Sequence, residues 1–145
     1  MAEFTLTRHM DAPPEAVFDA ITDHTRYSDY TPIRRAELEA EGEEEPNGTG
    51  AIRALHLVGP PMRERVIAFE RPRLFTYELL SGLPVRDHVG TVTVEPDGAG
   101  SLMTYRVETT PTIPLSGPFI VGGLKVSIGR LMAAVQREAE RRAAA

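Results

Sequence analysis

The chain has 145 residues, 41% of them hydrophobic and 26% charged, enough for one domain that hides about two-thirds of its unfolded surface. Its 16 basic and 21 acidic residues give a net charge of −5, which argues against a nucleic-acid partner, because phosphate binding needs clustered Lys and Arg. With no cysteine, disulfides, thiolate catalysis and Cys-ligated zinc are excluded, and a cytoplasmic localisation is expected.

The opening MAEFTLTRHMDAPPE lacks the apolar core of a signal peptide. No stretch is read as approaching the ~18 apolar residues of a bilayer span, so a soluble chain without stable membrane insertion is expected. Glu3–Met10 alternates, with Phe4, Leu6 and Met10 on one face and Thr5, Thr7 and His9 on the other, which predicts a half-buried strand. The period then changes. Asp11 is the expected cap, Pro13 and Pro14 suit a first turn, and Val17, Phe18 and Ile21 fall at helical spacing. A second short helix is expected over Thr25–Tyr30, ended by Pro32.

From Arg34 onward the pattern is a meander. Arg34–Glu41 reads as a polar strand and EGEEEPNGTG as a turn. Ala51–Val58, Arg63–Glu70, Leu74–Leu80, Val85–Glu95 and Ser101–Thr110 follow, separated by GPP, ERPR, SGLP and PDGAG. Strands with short turns between them predict an antiparallel sheet, not βαβ units. The acidic run Glu37, Glu39, Glu41, Glu43, Glu44 and Glu45 fits a solvated sheet edge that discourages pairing.

The last segment returns to helical spacing. Val121, Leu124, Ile128, Leu131, Met132 and Val135 form an apolar stripe, with Lys125, Gln136, Arg137, Glu140 and Arg141 away from it. Gly122, Gly123 and Gly129 each cost about 1 kcal/mol of helix propensity relative to Ala, which points to close approach of the helix to a neighbour, or else to a frayed start. The order of one strand, two short helices, six strands and one long helix defines a single α+β domain. A long amphipathic helix has only the sheet to bury its stripe against, and a seven-stranded antiparallel sheet curls around it. With no Trp and only 9 Phe and Tyr, that space is hard to fill, so an open pocket is expected.

These segments also resemble a known family. APPEAVFDAITDHTRYSDYTP is similar to the start of polyketide cyclase/dehydrase and lipid-transport proteins of the START-related (SRPBCC) superfamily. GTGAIRALHL with RERVIAFERPRLFTYELLSG resembles their third to fifth strands, and LPVRDHVGTVTVEPDGAGSLMTYRVE their final hairpin. The resemblance implies a helix-grip fold, a curved seven-stranded sheet wrapped around a long C-terminal helix. It also implies a ligand pocket beneath that helix, and Ser81, Gly82, Leu83 and Pro84 resemble the mobile gate loop of hormone receptors in the superfamily. Residue patterning alone allows an ordinary tight turn there.

Alternation sorts the strand residues into faces, and the resemblance identifies the concave one. Arg53, Leu55 and Leu57 share a face, as do Glu64, Val66 and Ala68. Tyr77 with Leu79, His88 with Gly90 and Val92, and Met103 with Tyr105 and Val107 complete the set; the opposite register would turn every one of them outward. Of these, Arg53, Leu55, Leu57, Glu64, Val66, Tyr77, Leu79, His88, Gly90, Met103 and Tyr105, with Leu124 and Ile128 of the helix, are the expected ligand-binding residues.

Buried Glu64 needs a partner, either Arg53 on the next strand or His88 across the cavity. His88 and Glu64 are the catalytic candidates, as acid and base. Their alternative roles are a structural Arg53–Glu64 pair and a satisfied interior histidine. His9, His24, His56 and His88 lack metal-ligand spacing, and no P-loop, GxSxG or GxGxxG occurs, so no metal or cofactor is expected.

Three functions remain open. The first is binding of a small hydrophobic ligand of polyketide, isoprenoid or lipid type. The second is an aromatase/cyclase or dehydratase that folds its substrate. The third is a protein-interaction module; a homodimer is also allowed.

Overall fold

The computed structural model describes residues 1–57 and 59–145; Val58, the last residue of one expected strand, lies outside the described residues. Strand β1, Ala2–Met10, buries Phe4 and Met10 and exposes Thr5, Thr7 and His9. Helix α1, Pro14–Thr22, is not capped by Asp11. Pro13 holds the N-cap position with extended backbone and no side-chain cap, because two successive prolines fix the chain entry two residues later. The Asp11 N–H instead donates to a Glu140 carboxylate oxygen at 2.8 Å. A single tight turn, His24–Arg26, leads into α2, Tyr27–Tyr30. Thr31 is driven to φ −124° and ψ 167°, the extended geometry that a following proline imposes.

Strands β2 (Arg35–Ala40), β3 (Ile52–His56), β4 (Met62–Glu70), β5 (Leu74–Ser81), β6 (Val85–Asp97) and β7 (Gly100–Pro111) pair in sequence. The sheet is antiparallel throughout, in the order β1-β7-β6-β5-β4-β3-β2. With α3, Gly117–Ala144, this is the expected helix-grip fold. The acidic run falls on edge strand β2 and the loop beyond it. Part of it is paired: Glu39 accepts from Arg63 at 2.9 Å and Glu45 from Arg71 at 2.8 Å.

Two irregularities decide which side chains face inward. Between Val66 and Ala68 the β4–β5 register slips, so Phe69 comes opposite Phe75 and Ala68 opposite Thr76. The bulge corrects the expectation that Ala68 shares the concave face: it carries Phe69 inward instead, onto Phe18 at a ring separation of 5.2 Å. A second slip, between Arg86 and Val89, includes Asp87 at φ +50° and lies beside buried His88, which keeps the inward phase of Gly90 and Val92.

Helix α3 has two unlike halves. Its C-terminal half buries Ile128, Met132, Ala134, Val135 and Ala139 against α1, β1 and β7. In its N-terminal half, Phe119 is 85% exposed and Val126 55%. The glycines do not mark close approach. A Cβ at Gly122, Gly123 or Gly129 would meet nothing within 4 Å.

The reading of membrane spans also needs correction. By length and composition α3 is long and apolar enough to cross a bilayer, with mean hydropathy 1.4 over its best window, because only Lys125 and Arg130 are charged between Gly117 and Gln136.

Near the end of α3, buried Glu138 accepts hydrogen bonds from Arg141 at 2.7 Å and from Arg142 at 2.7 Å. Arg142 continues to Asp23 after α1 at 3.3 Å. These bonds, Arg141's foremost, hold the Glu138 carboxyl down to about 2 against its burial. A depressed carboxylate contributes stability that is full above its unfolded value and is lost as pH falls through the folded one. Glu138→Gln is therefore expected to lower stability at neutral pH and to flatten the stability loss between about 4.5 and about 2, read from urea midpoints across that range.

Candidate functional site

Where the first half of α3 stands off the sheet, a cavity of about 400 Å³ opens. Its sheet wall carries Arg53, Leu55 and Leu57, then Met62 and Glu64, then Phe75, Tyr77 and Leu79, with His88 and Tyr105 beyond. Helix α3 contributes Phe119, Ile120, Gly123, Leu124, Ser127, Ile128, Arg130 and Leu131. Ile21, Tyr27, Pro32 and Ile33 close one side, and Pro60, Gly82 and Leu83 belong to the loops at the mouth.

Most of the expected site residues thus line one cavity. Val66 and Met103 are buried but do not; Met103 sits in the main core with Met10 and Phe18, at the closed end where α3 meets the sheet. Gly90 is also set back, because the Tyr77 ring lies over it: a Cβ at Gly90 would fall 2.4 Å from that ring. In the SGLP loop, Gly82 and Leu83 reach the cavity, whereas Ser81 and Pro84 do not. Gly82 has φ +114°, and a Cβ there would be 2.5 Å from the Pro61 carbonyl oxygen. That carbonyl, with a 3.0 Å bond from the Thr112 N–H to the Pro84 carbonyl, makes the segment a close-packed turn.

Three polar features face the apolar walls. Arg53 and Glu64 are direct cross-strand neighbours, and the Arg53 Nε donates to Glu64 Oε1 at 3.0 Å. The guanidinium carbon lies 5.5 Å from the Phe75 ring centre and 5.6 Å from that of Tyr77, so stacking adds to the pairing. Burial pushes the Glu64 carboxyl up while Arg53 pulls it down. Arg53 stays protonated despite burial because Glu64 and the surrounding tyrosine oxygens favour its charge. Of the two partners that sequence allowed for Glu64, the structure gives Arg53, and no hydrogen bond among the described residues joins Glu64 to His88.

The Tyr77 and Tyr105 hydroxyls are 2.5 Å apart. Burial raises both phenols, so both stay neutral, and since one O–H serves the bond between them, one remains to donate elsewhere. His88 Nδ1 is 3.0 Å from Thr109 Oγ1. Burial holds the imidazole down to about 4, leaving it neutral with Nε2 on the cavity side as a hydrogen-bonding atom. Behind the wall, His24 is wholly buried, pushed down to about 3 by burial and then by Arg53. Its Nδ1 is 3.3 Å from the Thr22 carbonyl, and its Nε2 has no partner. Among the described residues no cluster of three or more His, Cys, Asp or Glu could hold a metal.

The polyketide cyclase / dehydrase and lipid transport family model matches residues 1–143. The chain belongs to that family. Its fold is shared with START superfamily proteins. A START superfamily protein from Mycobacterium smegmatis is similar in structure, with TM-score 0.81 at 15% identity over 96% of this chain and 97% of that one. XoxI from Bacillus cereus gives TM-score 0.77 at 23% identity, covering 94% of each. The di-domain ARO/CYC StfQ of the steffimycin biosynthetic pathway gives TM-score 0.79 at 14% identity, over 99% of this chain and 52% of that one. No curated protein matches the sequence.

Sequence reading of this family member missed Phe75, Tyr27 and Phe119. Phe75 was legible, since it alternates with Tyr77 on the same strand. Tyr27 was not, because a single helical turn carries no periodic signal. Its hydroxyl donates to the Ile21 carbonyl, holding α2 against α1 beside the cavity.

The packing at Gly90 leads to a testable consequence. Gly90→Ala is expected to push the Tyr77 ring into the cavity, break its bond to Tyr105 and destabilise the domain by about 1–3 kcal/mol. Urea denaturation measures the loss, and the Tyr105→Phe variant, which removes the bond without the clash, is expected to cost less.

Proposed function

We propose that this domain binds and carries a small, largely apolar molecule bearing at least one neutral hydroxyl or carbonyl oxygen. The observation that carries the reading is a cavity of about 400 Å³ with apolar walls, on which His88, the Tyr77–Tyr105 pair and Ser127 offer neutral polar groups. A few fixed polar groups on apolar walls orient a guest, and the buried apolar contact supplies the affinity. Because burial keeps His88 and both tyrosines neutral, such a guest enters without leaving a bare charge in the interior.

Carrying ranks above catalysis for a specific reason. Glu64, one of the two acid–base candidates, is held by Arg53 and shares no hydrogen bond with His88 among the described residues. A proton path between the two would need the ion pair to break, leaving Arg53 buried and unpaired. Proteins of similar fold include a norcoclaurine synthase from Thalictrum, at TM-score 0.75 and 15% identity, a likeness of fold alone.

Gly123 provides the test, since it faces the cavity and its Cβ position is open. Gly123→Leu is expected to stabilise α3 by up to about 1 kcal/mol through helix propensity while filling the guest's space. Native mass spectra of protein from its source cell are expected to show an adduct that denaturation removes, and the Leu variant is expected to lack it. An adduct of equal occupancy in both proteins would place the guest elsewhere and overturn the reading.

A further inference from the structure

The charges around the cavity are unevenly placed. Inside, Arg53 and Glu64 cancel, and His88 and the tyrosines are neutral. At the rim, Arg130 of α3 lines the cavity, is exposed, and has no carboxylate partner among the described residues. A second recess shares Leu57 with the cavity and is lined by Arg34, Arg35 and His56. Glu37 occupies two of these three, reaching Arg35 at 2.7 Å and His56 at 3.1 Å. Arg34 is left uncommitted among the described residues. A chain of net charge −5 therefore presents two free cations beside the opening of its apolar cavity.

Building on the carrier reading, we propose that the guest is an anionic amphiphile whose apolar body fills the cavity and whose carboxylate or phosphate rests outside, between Arg130 and Arg34. An anion deep inside would lose its hydration and meet Glu64, whose own charge is already taken by Arg53. At the rim the same anion keeps water and gains two cations. The polar atoms within, His88 Nε2 and a phenol O–H, suit a neutral oxygen along the guest's body. Phe119, 85% exposed yet lining the cavity, gives the segment between body and headgroup an apolar surface to cross.

Isothermal titration calorimetry near neutral pH with decanoate, decyl phosphate and 1-decanol tests this on the full chain. At low salt, at least one anion is expected to bind about three- to tenfold more tightly than decanol, and the better of the two names the headgroup. High salt is expected to shrink that preference. The double variant Arg130→Glu, Arg34→Glu, both at exposed positions, is expected to erase the advantage of the anions over decanol, with all three probes compared on the same variant. Equal binding of all three probes, or a preference that survives the double variant, overturns the anionic headgroup and leaves the carrier reading standing. Failure of all three to bind overturns both.

Discussion

One helix has to serve two ends of a curved sheet, and the rest of the molecule follows from how it divides. The C-terminal half of α3 is sealed: Met132, Val135 and Ala139 join Phe4, Met10, Phe18 and Met103 in one core cluster. There α1 wedges between the helix and the sheet, and the Glu138, Arg142 and Asp23 bonds tie the two helices at their ends. A straight helix anchored at one end of a twisted sheet diverges from the other end. Large side chains could fill that gap, but Gly117, Gly122 and Gly123 fall in the diverging half, and each would point a Cβ at open space. These glycines cost helix propensity, and of the three Gly123 lines the cavity.

The divergence also explains the polar interior. A hollow apolar core would be dry and featureless, whereas this one contains an ion pair, two phenols and two imidazoles. Each has its own resolution in low dielectric: Arg53 and Glu64 by mutual pairing and ring stacking, Tyr77 and Tyr105 by a hydrogen bond between their neutral hydroxyls, His88 by losing a proton. His24 is the exception, a neutral imidazole whose Nε2 has no partner. The arrangement leaves the cavity without net charge inside it, which determines what kind of guest group can go deep and what kind has to stay at the mouth.

Much of this was legible in the sequence because the sheet period is two. Alternation, with the concave face taken from the family resemblance, placed Arg53, Glu64, Tyr77, His88 and Tyr105 on a common face, and all five line the cavity. The reading failed where the period itself breaks. The bulge after Val66 swaps Ala68 for Phe69, and no residue in VIAFE announces it. Gly90 was read by phase as a liner, when the missing Cβ is there to seat the Tyr77 ring. Gly122, Gly123 and Gly129 were read as marks of close packing, and the structure shows the reverse. A missing side chain has two opposite uses, contact and vacancy, and only the partner surface tells them apart. Arg34 and Arg130 were invisible as a pair for a similar reason: they stand 96 positions apart in the chain, and only the fold brings them to two recesses that share Leu57.

The same division separates what is shared with other proteins from what is particular to this one. Neighbours at 14% and 15% identity still superpose over nearly the whole chain, so the grip does not depend on which residues line its hollow. It depends on inward apolar phase at the sealed end, on turns of the right length, and on a helix anchored at one end. At the open end a side chain changes the guest without being asked to hold the sheet. The polar positions facing that end therefore carry the information about the ligand: His88 and the Tyr77–Tyr105 pair inside, Arg130 and Arg34 outside. The overall match establishes membership of the family; on the carrier reading proposed above, these five residues are the ones that would select the guest.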